Sequence, residues 1–519
     1  MVENVIRVFV LSVFCFSFFS FKLFSIFQQC TYRPREFALA IFKENKSEIC
    51  RLSTYSLVFC VLTLIASSFY GYLNTLFWIL LYLFSFLLVG LSYFRCNVIK
   101  QQAFTRRYVR IYITSCILCG LMQVGSFILL KGAVWIFAIL YGIIPILSPL
   151  FIMLSSTVNF PYDKLRYELS KLKCKKRLAK CKSLVKIAIT GSFGKTSVKN
   201  YLAKMLAVKY SVLATPKSYN TPLGVCKAVK EGFKGQEIFI VEMGARYKND
   251  IKELCKMVKP NVGVITGITA QHTATLGDIN AVKTAKNQLI EALSSDGLGV
   301  FSMQTVAVKE MYDECKCSKI AVGKSDCFVN VKDIIQQNDG ISFTIEHNGK
   351  GYKTFAPLLG EHNAYNIGLS VAVSLKMGVE MEKLLTVIPT LQAVEHRAQI
   401  INTSKGITVI DDGYNANLEG IKSTARAVGA LSGYKIAVTS GIVELGDKTE
   451  EINVAVGKAL AESFDLIIAV GVNASYVYKG AENRETVKAK SINDAQLIIG
   501  NRAKAGDVVA FFNDLPDRY

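Results

Sequence analysis

Hydrophobic positions are spread very unevenly along this chain. Before residue 160 they form five long apolar stretches, at about 8–27, 55–73, 76–93, 111–130 and 134–154. Each comes close to the roughly 20 residues that a helix needs to cross a bilayer. All are rich in Phe and Leu and lack internal charge, except for Lys22 near the end of the first, where it can snorkel to the interface. The first stretch predicts an uncleaved helix rather than a signal peptide. It is long, lacks a clear small-residue cleavage site, and is followed by further spans.

From residue 184 the pattern changes to short apolar runs separated by helix-period segments. Runs at 185–189, 237–242, 261–266 and 299–302 predict strands with crossover helices, which is the mark of a parallel sheet. Residues 327–355 alternate instead, with turn signals at Asn338-Asp339-Gly340 and Asn348-Gly349, and predict an antiparallel insertion. After about 392 a second alternating unit begins, with strands at 406–411, 435–440, 466–470 and 507–511. The expected architecture is α/β behind an all-α transmembrane region. It comprises a multi-pass domain at 1–160, a Lys-rich helical connector at 161–183 resting on anionic headgroups, a parallel-sheet α/β domain at 184–391 and a Rossmann-like domain at 392–519. Internal repeats and low-complexity segments are not evident.

Composition sharpens this picture in two places. The 519 residues are 51% apolar, and the excess lies in the first third. The net charge of +21 is also local: residues 1–183 hold 22 Lys and Arg against 6 Asp and Glu, a net +16, leaving +5 for the remainder. A basic chain can bind nucleic acid, but here the excess falls in loops at 33–51, 95–110 and 164–182, which flank the apolar stretches. The positive-inside rule accounts for this arrangement. It predicts an outside N-terminus, a cytoplasmic location for everything after about 160, the lipid bilayer as a partner and no nucleic acid. The fourteen Cys are scattered without zinc-ribbon spacing and read as reduced thiols, with a metal site at Cys315, Cys317 and Cys327 as the alternative.

The chemistry concentrates at Thr190-Gly191-Ser192-Phe193-Gly194-Lys195-Thr196-Ser197, directly behind the strand run 185–189. A Gly-rich turn between strand and helix can wrap backbone N–H groups around a polyphosphate. Lys195 then reaches the phosphates and the Thr196 hydroxyl reaches Mg²⁺. The longer eight-residue phosphate-loop pattern is broken, because position 189 is Ile. Glu242 ends the strand 238–241 and His272 follows the strand 261–266, both at carboxyl ends, where α/β sheets gather ligands. Taken alone, Lys286 reads as a solvated helix lysine.

Four motifs occur in order: Gly191-Ser192-Phe193-Gly194-Lys195-Thr196, Val241-Glu242-Met243-Gly244, Gly360-Glu361-His362-Asn363-Ala364-Tyr365-Asn366 and Ile410-Asp411-Asp412-Gly413-Tyr414-Asn415-Ala416-Asn417. Over 184–519 the chain resembles the Mur ligase family, and within it the dipeptide-adding branch. The resemblance implies a central phosphate-loop ATPase domain and a C-terminal Rossmann-like domain. It also implies a bacterial enzyme that joins a carboxylate to an amine through an acyl phosphate, with ATP and Mg²⁺. Its substrates would be a muramoyl-peptide precursor and D-alanyl-D-alanine. By resemblance, Gly191, Ser192, Gly194, Lys195, Thr196 and Ser197 hold phosphates, and Thr196, Glu242, His272 and Lys286 serve the metal ions, with Lys286 carbamylated. His362, Asn363, Asn366 and Asp412 face the nucleotide, and Arg397 opens the domain that closes over it. Asn220 and Thr221 face the acceptor, and Tyr414, Asn415 and Asn417 the incoming dipeptide.

The chain departs from the family pattern in three ways. Gly413 stands for the usual Ser and Leu418 for the usual Pro, residues 439–446 differ from the usual stretch, and apolar helices stand where the family's UDP-sugar domain would be. The alternatives are another amide ligase of the same architecture and, from other classes, a membrane scaffold with an inactive ligase domain and a nucleotide-driven transporter. The sequence leaves the oligomeric state open.

Overall fold

The computed structural model describes residues 2–44, 46–70, 74–93, 103–130, 133–245, 247–269, 278–337, 339–413, 418–443 and 445–512. The chain forms two compact units that divide after Tyr167.

The first unit is a helical bundle. Among the described residues, four helices are long and apolar enough to cross a bilayer: Glu3–Gln29, Glu48–Ser67, Arg106–Leu129 and Ile144–Ala179. A shorter apolar stretch, Thr75–Leu87, accompanies them. Their inner faces bury an aromatic core that includes Phe16, Phe19, Phe24, Phe59 and Tyr141. Polar groups join helix to helix, as expected where water is absent: the Thr63 hydroxyl donates to the Ala138 carbonyl at 2.8 Å, and the Gln123 amide to the Leu140 carbonyl at 2.8 Å. Leu57, Leu83, Phe86 and Leu129 point outward, the arrangement of a lipid-facing surface.

Two sequence expectations change in this unit. The stretch 134–154 is broken: the helix Val134–Gly142 ends, and Ile144–Ala179 starts anew and runs through the basic connector. The physical cause is Pro145, which has no N–H to donate to the preceding turn. Lys22 does not simply snorkel, because it is paired with Glu48, which is buried and is also 2.8 Å from Arg51.

The second unit carries two sheets. Strands β1 (Val185–Thr190), β2 (Val212–Ala214), β3 (Ile238–Glu242), β4 (Val262–Ile265), β5 (Leu298–Ser302), β6 (Ser318–Gly323), β7 (Val329–Gln337), β8 (Gly340–His347) and β9 (Lys350–Ala356) form one nine-stranded sheet, ordered β2-β3-β1-β4-β5-β6-β7-β8-β9. β1, β3 and β4 are apolar and almost wholly buried, as central parallel strands must be when helices cover both faces. The alternating segment is therefore no separate insertion. β7 pairs in parallel with β6 at Val322–Val329, and the β7-β8-β9 antiparallel ribbon continues the same sheet. The Asn348-Gly349 turn forms as expected, with both residues at positive φ (51° and 74°), as the preferred two-residue hairpin requires.

Strands β10 (Gln399–Asn402), β11 (Thr408–Asp412), β12 (Lys435–Thr439), β13 (Leu466–Val470), β14 (Glu485–Ala489) and β15 (Val508–Phe512) form the second sheet, ordered β10-β11-β15-β12-β13-β14. It is parallel except for the edge strand β10. The segments ending β1, β3 and β4 in the first sheet and β11 in the second supply the site.

Candidate active site

The phosphate-loop reading rests on local geometry that the structure supplies. β1 ends at Thr190, and the helix Lys195–Leu206 begins after Gly194, which is left-handed at φ 74°. A Cβ on Gly194 would lie 2.5 Å from Asn366 Oδ1, and one on Gly191 would lie 2.0 Å from Thr266 Oγ1. Both positions therefore require glycine. The loop is tied to the segment after β4: the Ser192 N–H donates to the Gly267 carbonyl at 2.7 Å, and the Ser192 hydroxyl is 3.2 Å from the Thr269 carbonyl.

Lys195 folds back on this loop, donating to the Gly191 carbonyl at 2.7 Å and the Ser192 carbonyl at 3.3 Å. Lys286 donates to the same Gly191 carbonyl at 2.9 Å. Lys286 is buried on the helix Ile279–Glu291, so the reading of it as a solvated helix lysine is wrong. The period-3.6 pattern places it on a helix but does not reveal which face lies beneath the phosphate loop.

Glu242 is the one acidic group at the centre of this cluster among the described residues, and it is 1% exposed. Its Oε2 accepts from the Thr196 hydroxyl at 3.0 Å and from Lys199 Nζ at 3.3 Å, and its Oε1 accepts from Asn220 Nδ2 at 3.3 Å. Arg397, from the C-terminal part of this unit, reaches Thr196 Oγ1 at 3.3 Å. Thr221 is engaged otherwise: its hydroxyl caps the helix Pro222–Gly232 by accepting from the Gly224 N–H at 3.3 Å.

Beside the loop lies a cavity of about 230 Å³, lined by Gly194, Ser197, His362, Asn363, Asn366, Arg397 and Asp412 among the sequence-predicted residues. His362 Nδ1 is 2.9 Å from Ser423 Oγ. Asn363 accepts from the Tyr201 hydroxyl at 3.0 Å and donates to the Leu359 carbonyl at 2.8 Å. Asp412 accepts from the Ala398 N–H at 3.1 Å and the Thr424 hydroxyl at 2.8 Å. His272, Tyr414, Asn415 and Asn417 lie outside the described residues. Sequence reasoning missed Lys199, Ser423 and Thr424. Lys199 had a signal, since it lies one helical turn beyond Lys195 on the same face.

The electrostatics of the cluster suit a polyanion. Burial pulls Lys195 down to about 8; Glu242 opposes that shift and Arg397 adds to it. Burial, reinforced by Lys195, holds Lys286 well below its usual range. Burial also lowers Lys199 against the pull of Glu242. Three lysines with lowered pKa values and Arg397 gather in this cluster with Glu242, an arrangement suited to a polyphosphate. The donor set also suits a hard divalent cation. Glu242 and Thr196 offer adjacent buried oxygens, and Mg²⁺ takes its remaining ligands from phosphate and water.

Comparison with known proteins gives the family of these two domains. The model of the Mur ligase middle domain matches residues 189–374, and that of the Mur ligase, glutamate ligase domain matches 396–512. The chain belongs to the Mur ligase family. It is thereby of the ATP-dependent, amide-forming class of ligases. The UDP-N-acetylmuramoyl-tripeptide–D-alanyl-D-alanine ligase of Bacillus subtilis (strain 168) is 27% identical over 332 residues, which cover 63% of this chain and 72% of that one. Two further such ligases, from Buchnera aphidicola and Escherichia coli, are covered over 61% and 64% of their length. Among solved structures, MurF from Acinetobacter baumannii superposes with a TM-score of 0.63 at 25% identity, covering 68% of this chain and 78% of its own. MurF from Thermotoga maritima, solved in complex with ADP, gives 0.61 at 23% identity, covering 67% and 80%.

Within this Mur ligase site the neutral state of His362 can be tested. Burial holds its imidazole down to about 4, with Arg397 nearby adding to the shift. An unfolded histidine titrates near 6.5, so between pH 6.5 and 4 the unfolded chain binds a proton that the folded chain refuses. Stability is then full above 6.5 and is lost as pH falls toward 4. Compared with His362→Asn, the wild type is expected to lose about 2 kcal/mol more over that window, measured by denaturant unfolding at each pH. A pH-independent difference between the two proteins would contradict the neutral imidazole.

Proposed function

We propose that this chain is a membrane-tethered ligase that joins D-alanyl-D-alanine to the peptide carboxylate of a muramoyl-tripeptide, driven by ATP. The observation that carries this reading is the convergence of Lys195 and Lys286 on the Gly191 carbonyl and of Arg397 and Glu242 on the Thr196 hydroxyl, beside a cavity lined by Asp412 and Arg397. The names of the curated relatives support the substrate assignment.

The chemistry needs positioning and charge neutralisation rather than a protein nucleophile. An acceptor carboxylate oxygen attacks the γ-phosphorus of ATP, the bond to the bridging oxygen breaks, and ADP leaves. The dipeptide amine then attacks the acyl carbon, gives up a proton, and inorganic phosphate departs. Lys195 and the amides of Gly191 to Ser197 hold the phosphates. Thr196 and Glu242 would hold Mg²⁺, whose chemistry is to neutralise charge between phosphate oxygens. Lys286, a buried amine whose protonated form burial disfavours, is suited to the carbamylation that the resemblance implies, and the resulting anion, with His272, would serve a second ion. By the resemblance, Asn220 and Thr221 would serve the acceptor, and Tyr414, Asn415 and Asn417 the dipeptide. Multiple-turnover ADP release that requires both acceptor and dipeptide is the expected result; ADP release from ATP alone at the same rate would refute the proposal.

A second observation bears on the acceptor's handle. The family models begin at residue 189, whereas a unit of apolar helices occupies residues up to 167. We infer that the protein resides in the bacterial membrane with its ligase domains in the cytoplasm, and that it acts on a lipid-linked acceptor. Faster turnover of a lipid-linked than of a UDP-linked muramoyl-tripeptide is expected in detergent; comparable turnover of the two would overturn the lipid-linked acceptor.

A further inference from the structure

A charged side chain inside a protein needs a reason to be there, because an unpaired buried ammonium is costly. Lys199 is such a group. Its side chain is 1% exposed, on the inner face of the helix Lys195–Leu206. No step described above uses it. Its Nζ donates to Glu242 Oε2 at 3.3 Å and to the carbonyl of Lys217.

The second bond carries the argument. Lys217 lies in the loop between β2 and the helix Pro222–Gly232, and it is left-handed at φ 47°. A non-glycine residue in that region persists only where its surroundings hold it. The ammonium of Lys199 is what meets the carbonyl that this turn presents. Three residues on, Asn220 donates from its side chain to Glu242 Oε1 at 3.3 Å, and its carbonyl accepts from the Gly244 N–H at 3.1 Å. The loop is therefore fastened to the end of β3 at two points, and Lys199 joins it to the phosphate-loop helix.

We infer that Lys199 is a positioning residue that sets the acceptor loop, Lys217 to Thr221, relative to Glu242 and the phosphate-loop helix. The acceptor carboxylate and the phosphate it attacks sit on different elements, and the geometry between them decides the rate of transfer. Lys199 is the side chain that spans both. This role rests on the proposed ligase reading, in which Asn220 and Thr221 face the acceptor.

The test uses the full-length protein in detergent and two variants. Lys199→Met keeps the apolar stem and removes both bonds; Lys199→Gln keeps a donor for the Lys217 carbonyl and removes the charge. The Met variant is expected to raise KM for the muramoyl-tripeptide acceptor about tenfold or more while KM for ATP stays within about threefold, and the Gln variant is expected to recover part of the loss. Hydrogen exchange without substrates reads the coupling directly. Amides of residues 217–221 should exchange faster in the Met variant while those of β1 and β4 stay unchanged, whether or not the chosen acceptor is the right one. Equal changes in both KM values, or unchanged exchange at 217–221, would overturn the inference. If Lys199→Met does not fold, the same exchange is read on Lys199→Leu, which also removes both bonds, and unaltered 217–221 exchange there would overturn the inference equally.

Discussion

Replacing Lys195 by alanine is expected to lower kcat/KM for ATP by about three orders of magnitude without lowering the stability of the nucleotide-free protein. The loss follows from geometry. Lys195 is the cation bound to the carbonyls of the phosphate loop itself, at 2.7 and 3.3 Å, and phosphoryl transfer depends on such fixed charge. The preserved stability follows from the depressed pKa. Between about 8 and the ordinary lysine range the unfolded chain holds more protons than the folded one, so the folded state carries this charge at a cost below pH 8. Removing the ammonium removes that cost along with two hydrogen bonds to backbone. The checks are steady-state kinetics and a thermal melt on the same preparations. A variant that loses activity together with several degrees of melting temperature would mean that Lys195 holds the loop rather than the nucleotide.

Replacing Lys286 by methionine is expected to cost about two orders of magnitude or more in kcat, with KM for ATP changed far less. Methionine fits the buried channel that the lysine stem occupies, so the protein should fold. What is lost is a buried amine whose surroundings disfavour its protonated form, placed 2.9 Å from the carbonyl that Lys195 also engages. A neutral amine is nucleophilic toward carbon dioxide, whereas an ammonium is not. Wild-type activity should therefore rise with added bicarbonate, and the variant should show no such response. Full activity in Lys286→Met, or an equal bicarbonate response in both proteins, would remove Lys286 from the site.

The parts of this site that were legible in the sequence are those fixed by neighbours along the chain. A buried strand, two glycines that sterics make obligatory and a lysine opening a helix form a unit of about a dozen residues, and Gly191, Gly194 and Lys195 occupy it as read. Likewise β11 delivers Asp412 and β3 delivers Glu242 at their carboxyl ends. The burial of Lys286 and Lys199 was not legible, because a helix period fixes a face but not what packs against it. Short or edge strands were also missed. β2 has three half-buried residues, and β10 and β14 lie at the margins of their sheet, where the apolar signal is weak. The hairpins of β7 to β9 were visible as alternation, whereas their junction with β6 is a long-range pairing that alternation does not encode. In the helical unit, Pro145 already marked the break in the stretch 134–154, and the buried Glu48 is paired with Lys22 and Arg51, a long-range partner and a near one that the apolar pattern does not encode.

The measurement closest to the central claim is mass spectrometry of the product. The detergent-solubilised protein would receive ATP, Mg²⁺, D-alanyl-D-alanine and either a UDP-linked or a lipid-linked muramoyl-tripeptide. The account predicts a pentapeptide product that forms only when ATP and dipeptide are both present, and that is absent with Lys195→Ala. ATP-independent product, or no pentapeptide from either acceptor by a folded protein that binds ATP, would contradict it.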